Sequence, residues 1–308
     1  MTQDWIPNAL PPLHGKTVVV TGGNAGLGYF ASEQLAEAGA EVIIAARNPQ
    51  KAKAAITAIK ARIPEADVTY QHLDLASLAS VRHAAAQLSD LEHIDTLVAN
   101  AGVIGSSLRQ NTVDGFELQF GTNHLGHFAL VAELMPALAA HGSRIVHVGS
   151  VSHRWVRPDF TTAAHPRKYS SYHSYALSKL AVMSFGFELA HRLELMGSPA
   201  TSIVAHPGYS RSMFTPRRPG VATYRPASAV QQRFSRPFAQ GKDAGAWPLV
   251  RAAVDDEVRN GDYWGPDGPF QLRGRPALVR PQSHALERNA ASRLIDLSQE
   301  LTGFRLDL

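Results

Sequence analysis

The sequence predicts a doubly wound α/β fold with a mainly parallel sheet flanked by helices. Three observations carry that prediction. From Lys16 to about Ala205, short β-branched runs alternate with apolar patterns at helical spacing. A glycine-rich stretch, Thr21-Gly-Gly-Asn-Ala-Gly-Leu-Gly28, falls where the first strand pattern gives way to the first helix pattern. The chain of 308 residues is 44% hydrophobic and 18% charged, enough apolar material for a large core.

The elements follow in order. Lys16–Val20 reads as the first strand. Leu27, Phe30, Ala31, Leu35 and Ala38 then recur on one helical face, and Gly39 ends the helix. Glu41–Ala46 is the second strand, and Asn48-Pro49 opens the second helix as N-cap and first-turn proline. Val68–Leu73, Thr96–Ala99, Arg144–Val148 and Ser202–Ala205 are further strands. Ser77–Leu88, Asp114–Ala140 and Ser174–Met196 are read as helices between them. Residues 207–242, rich in Pro, Arg, Gly and Ser, break the pattern. A helical segment at Ala244–Val254, the apolar Tyr263-Trp264 and a closing helix at Ala285–Leu301 resume it. The expectation is therefore one domain over 1–308 with a substrate-loop excursion at about 207–242.

Composition narrows the chemistry. The absence of cysteine removes disulfides, thiolate metal sites and cysteine nucleophiles. Met1 to Pro7 lacks a basic segment followed by an apolar one, and no run reaches the length of a membrane span. A cytoplasmic protein with no integral membrane segment is expected. The net charge of +4 comes from scattered basic residues, which fits an anionic cofactor and small-molecule substrate better than nucleic acid. His124 and His127 share a helical face without a third metal-ligand motif, so no metal is expected. Val148-Gly-Ser-Val-Ser lacks the Gly-x-Ser-x-Gly elbow of a serine hydrolase.

Each glycine of the turn has a physical role in a Rossmann-type site. Gly22 permits a tight turn, Gly26 lets backbone approach a pyrophosphate, and Gly28 lets helix and strand pack closely. The helix N-terminus would receive the phosphates. At the end of the second strand, Ile44-Ala-Ala-Arg47 has no acid to bind a ribose 2′-hydroxyl. The guanidinium of Arg47 would instead pair with a 2′-phosphate, which points to NADP(H). In Ser174-Tyr-Ala-Leu-Ser-Lys179, Tyr175 and Lys179 are one helical turn apart. A cation beside the phenol would lower its ordinary value of about 10 and suit it to proton exchange.

Thr-Gly-x-x-x-Gly-x-Gly at 21–28, Asp74, Asn100-Ala-Gly102, Asn123, Ser150, Tyr175/Lys179 and Pro207-Gly208 occur in this order over about residues 14–208. The chain thereby resembles the short-chain dehydrogenase/reductase family. The long stretch between Ser150 and Tyr175, with Tyr-Ala-Leu-Ser-Lys-Leu-Ala, resembles its branch of retinol dehydrogenases and protochlorophyllide-reductase-like proteins.

The resemblance implies an enzyme that moves a hydride between NADP(H) and a carbonyl or alcohol. Tyr175 would be the general acid/base, Lys179 would hold the nicotinamide ribose and tune it, Ser150 would hold the substrate oxygen, and Asn123 would anchor a relay water. Ser152 is the rival of Ser150. Cofactor contacts would come from Gly22, Asn24, Gly26, Leu27, Gly28, Arg47, Asp74, Leu75, Asn100, Ala101, Gly102, Tyr175, Lys179, Pro207 and Gly208. Ser210 or Ser212 would stand in for the family's threonine after Pro-Gly. The family's habit implies a homodimer or homotetramer. A non-enzymatic NADP(H)-binding regulator on the same fold is the alternative. Trp155, Phe160, Tyr169, Tyr172, Tyr209, Met213 and Phe214 suggest an apolar lipid-like, isoprenoid or aromatic substrate under a mobile 209–242 segment.

Overall fold

A computed structural model describes residues 10–308. The stretch Met1 to Pro7 read above lies outside the described residues. One eight-stranded sheet has the order β3-β2-β1-β4-β5-β6-β7-β8. Its strands are β1 (Thr17–Thr21), β2 (Glu41–Ala46), β3 (Val68–His72), β4 (Thr96–Ala99), β5 (Arg144–Val148), β6 (Thr201–Ala205), β7 (Tyr263–Pro266) and β8 (Pro276–Leu278). All neighbours pair in parallel except β7 with β8.

The two faces account for the strand sequences. Val18 and Val20 point to one face and Val19 to the other, and all three are buried. A strand covered on both sides must be apolar at every position, so its sequence shows no alternation. The face of Val18 is covered by α1 (Gly26–Glu37), α2 (Pro49–Arg62) and α8 (Lys242–Val254). The face of Val19 is covered by α3 (Leu78–Ser89), α5 (Gly126–Ala140) and α6 (Ser171–Leu195). Asn48 caps α2 by accepting from the Lys51 N–H, with Pro49 behind it, and Ser77 caps α3.

Most expected boundaries move by one to three residues, and at two of them an extra turn intervenes. The helix expected at Asp114–Ala140 starts at Leu118 as a short α4 (Leu118–Phe120) and passes through a π-helical segment, Gly121–Leu125, into α5. Residues 112–116 close a hydrogen-bonded turn first, with the Thr112 hydroxyl accepting from the Phe116 N–H. The closing helix is α9 (Arg288–Thr302), preceded by a 3-10 turn at Ser283–Leu286. It buries Ala290, Ala291, Leu294, Ile295 and Ser298 against the α5–α6 layer. Ser298 Oγ meets the His124 ring at 2.8 Å, and Arg192 of α6 donates to Ser292 Oγ.

The excursion at 207–242 has little buried structure of its own. Its helix α7 (Ala229–Ser235) buries no residue. It is nonetheless tied at several points. The Arg218 guanidinium forms a two-bond fork with the Glu33 carboxylate of α1, at 2.6 and 2.7 Å. Gln240 donates to the Pro207 carbonyl and accepts from the Gly274 N–H. No helix among the described residues is long and apolar enough to cross a membrane.

Candidate active site

The order of the sheet reverses between β1 and β4, opening a crevice beyond their carboxyl ends. The glycine-rich turn leaves β1 there. Gly22 and Gly26 adopt left-handed backbone, with φ of 68° and 62°. A Cβ on Gly28 would press into the Gly22 carbonyl at 2.5 Å, so only glycine lets the helix fold back on the turn. The Asn100 side chain, after β4, braces the turn by donating to the Thr21 carbonyl at 2.8 Å. α1 begins at Gly26 with no side-chain cap and no acid in its first turn. Its free N–H groups and positive dipole end suit a dinucleotide pyrophosphate. Asn24 and Leu27 are half-buried beside it.

Arg47 stands exposed at the end of β2, with no ion pair among the described residues. Asp74 is half-buried after β3 and shapes its own loop. Its carboxylate accepts from the Ala76 N–H and its N–H donates to Ser80 Oγ. Leu75 is a core residue whose carbonyl abuts Gly126. The Ala101 N–H donates to Thr21 Oγ1, and Gly102 lies exposed beside Asn123 and Lys179.

Ser150, Tyr175, Lys179 and Asn123 come together at the ends of β4 and β5. Ser150 follows β5 in extended backbone, and its hydroxyl lies near enough to the Tyr175 phenol to favour the phenolate. Ser152 is buried with its hydroxyl unpaired, which leaves Ser150 as the serine on the phenol. The π-helical turn carries Asn123, fully buried. Such single-turn widenings gather at functional sites. The Asn123 amide accepts from the Val103 N–H at 2.7 Å and donates to the Val103 carbonyl and Ser178 Oγ.

The electrostatics correct one expectation. Burial pushes the Tyr175 phenol above its ordinary value, and the nearby Ser150 hydroxyl only partly opposes this. The Lys179 ammonium does not offset it. That group is buried, donates to the Val148 carbonyl at 2.8 Å, and burial pushes it down to about 8. Helical spacing put the two residues on one face, but the nearest acceptor for the ammonium is a strand carbonyl.

Several participants were not singled out from the sequence. Thr21 is a junction: its hydroxyl accepts from the Ala101 N–H and lies 2.9 Å from His127 Nε2. His127 Nδ1 faces the Asn123 carbonyl at 2.9 Å, so it carries the hydrogen and Nε2 accepts from Thr21. His127 therefore fastens the π-helical turn to β1, and burial holds it neutral, down to about 4. Arg154 donates to the Phe270 carbonyl and the Gln271 side chain, whose residues sit in left-handed backbone at φ 55° and 58°. Spacing within one segment gives no signal for partners more than 100 positions apart.

The aromatic set divides. Phe160 is core, and the Tyr169 hydroxyl is bound to the Ser106 carbonyl. Trp155 and Tyr172 are exposed with rings 6.1 Å apart, and Tyr209 is exposed under the Arg211 guanidinium. Ser210 donates its hydroxyl to the Pro207 carbonyl, whereas Ser212 begins the next 3-10 turn with no side-chain hydrogen bond among the described residues.

Comparison with known proteins agrees with this geometry. The short chain dehydrogenase family profile matches residues 16–218. Human retinol dehydrogenase 13 is 42% identical over 69% of this chain and 65% of its own length. Mouse retinol dehydrogenase 13 is 35% identical over 99% of this chain and 90% of its own. Mouse polyprenol dehydrogenase is 37% identical, covering 83% and 76%. Among solved structures, an uncharacterized protein from Mycobacterium Paratuberculosis superposes with a TM-score of 0.80 at 34% identity, over 99% of both chains.

Proposed function

The chain belongs to the short-chain dehydrogenase family, in its retinol dehydrogenase-like branch, and from that premise we propose an NADP(H)-dependent oxidoreductase acting on an apolar carbonyl or alcohol. The observation that carries the reading is the Ser150 hydroxyl close to the Tyr175 phenol, beside buried Lys179, at the sheet's switch point. The residues fit a dinucleotide: the Gly22–Gly28 cradle is open to backbone approach, and α1 presents uncapped N–H groups. Exposed Arg47, in a strand end without an acid, supports the phosphorylated cofactor.

The nicotinamide, when bound, supplies or accepts the hydride. The phenol of Tyr175, held protonated by burial, is suited to give its proton to a carbonyl oxygen that Ser150 positions. Lys179 and Asn123 flank Gly102, where the cofactor's ribose would pass. Asn123, gripped by Val103 and Ser178, holds that wall rigid. Ser212 rather than Ser210 keeps a hydroxyl for the nicotinamide amide. Exposed Trp155, Tyr172 and Tyr209 supply an apolar approach, and the printed names of the relatives, retinol and polyprenol dehydrogenases, are in line with it.

Residues 1–308 are read as one catalytic domain, cytoplasmic, with 207–242 over the site. A dimer or tetramer would pair the outer faces of α5 and α6. The homodimer or homotetramer remains the reading by analogy, and light scattering at micromolar concentration checks it: a monomer mass would count against it.

Tyr175→Phe tests the mechanism. Turnover of a retinoid or polyprenoid carbonyl should fall by at least about a hundredfold, with NADPH affinity kept. Full turnover in the variant would refute the assignment.

A further inference from the structure

Among the described residues apart from the Ser150–Tyr175 centre, Lys242 is a half-buried cation that the fold itself does not explain. Lys242 is the first residue of α8, and its ammonium lies against the glycine-rich turn: a Cβ placed on Gly26 would sit 3.4 Å from Lys242 Nζ. The side chain is half-buried. It makes no ion pair and no side-chain hydrogen bond among the described residues, although its backbone N–H donates to Thr215 Oγ1.

Three features make this placement unfavourable on its own. Burial pushes the ammonium below its ordinary value, and the Arg225 guanidinium pushes it further in the same direction. The residue stands at a helix N-terminus, where the dipole repels a cation. α1 also directs its uncapped N-terminus to the same turn. The N-termini of α1 and α8, a lysine and an arginine thus lie around one turn, and no carboxylate pairs with the Lys242 ammonium among the described residues. Asp243, the neighbour in sequence, has one carboxylate oxygen unpaired in the protein interior and its acid raised by burial.

We propose that Lys242 is a ligand of the cofactor's pyrophosphate, closing the glycine cradle from the far side of the excursion, with Arg225 adding long-range attraction. The proposal rests on the dinucleotide reading above and adds a residue that lies outside the glycine motif. It also accounts for residues 207–242, because the segment ends at Lys242 and is anchored to α1 through Arg218 and Glu33, so its fold delivers the ammonium to Gly26. A pyrophosphate ligand serves NADPH and NADH alike, which separates it from Arg47 at the 2′-phosphate.

The test compares the purified full chain with its Lys242→Met and Lys242→Arg variants. Dissociation constants are measured for NADPH, NADH and ADP-ribose by calorimetry, and melting temperatures with and without NADPH. Lys242→Met should weaken all three ligands by a similar factor, about tenfold or more. Lys242→Arg should keep most of the affinity. Without ligand, Lys242→Met should melt at the wild-type temperature or above it, because an unfavourable charge is gone.

Unchanged affinities, a loss confined to NADPH, or a lower melting temperature of the unliganded Lys242→Met protein would each overturn the proposal. The last would make Lys242 structural. A wild-type chain that binds none of the three ligands would instead refute the cofactor reading itself.

Discussion

Replacing Lys179 by methionine should make the protein more stable while destroying its activity. The folded chain holds this ammonium at about 8, against 10.5 for an ordinary lysine. Its cationic form is therefore better solvated in the unfolded chain. At about 1.4 kcal/mol per unit, the difference at neutral pH is about 3 kcal/mol against folding. Lys179→Met keeps an unbranched apolar stem and removes the charge, but it deprives the Val148 carbonyl of its 2.8 Å donor. That loss costs about 1–2 kcal/mol. The net gain is about 1–2 kcal/mol, or roughly 2–6 °C in melting temperature.

The pH dependence carries the sign. The wild-type penalty is complete below about pH 8, where both states are protonated. It fades as pH rises toward 10.5, where the unfolded lysine loses its proton as well. The advantage of the variant should shrink across that window. Urea unfolding of both proteins without cofactor, at neutral pH and at about pH 10, reads the effect. A variant less stable than wild type at neutral pH would refute the reasoning, as would a stability difference that ignores pH.

Arg47→Asp should weaken NADPH binding by about a hundredfold and leave NADH nearly unchanged, and equal affinities of the unmutated protein for the two cofactors would count against Arg47. Burial holds His124, His147 and His206 down to about 3, and His127 and His153 down to about 4. The unfolded chain therefore takes up protons below the ordinary value near 6.5 that the folded chain refuses. Stability should fall steeply from about pH 6 to pH 4, with unfolding near pH 5 taking up about five protons; a flat profile there would contradict the buried neutral rings. Amide exchange should be fast at 224–238 and slower near Arg218 and Gln240, with NADPH slowing 224–238; strong protection at 224–238 without ligand would remove the lid reading.

Much of this architecture was legible in the chain. β2, β4 and β5 appear at the expected residues, because a strand buried on both faces is a short, mainly apolar run with clear ends. The Asn48-Pro49 cap, and the glycines at 22, 26 and 28, follow local rules of backbone geometry. The order of the motifs was enough to indicate the family.

The tertiary structure decided what depends on distant groups. Helical spacing put Lys179 beside Tyr175, but the Val148 carbonyl on β5 took the ammonium, and burial raised the phenol that the cation was expected to lower. The π-helical turn at Gly121–Leu125 rests on His127 reaching Thr21 across the sheet, 106 positions away. Lys242 sits 216 positions after Gly26 in the numbering, and only packing of α8 on α1 brings its charge to the turn. Local propensity and periodicity are properties of neighbouring residues, so they foretell elements and caps. Desolvation, the direction of a side chain's hydrogen bond and the meeting of two loops are properties of the assembled core, and they exist only once it has formed.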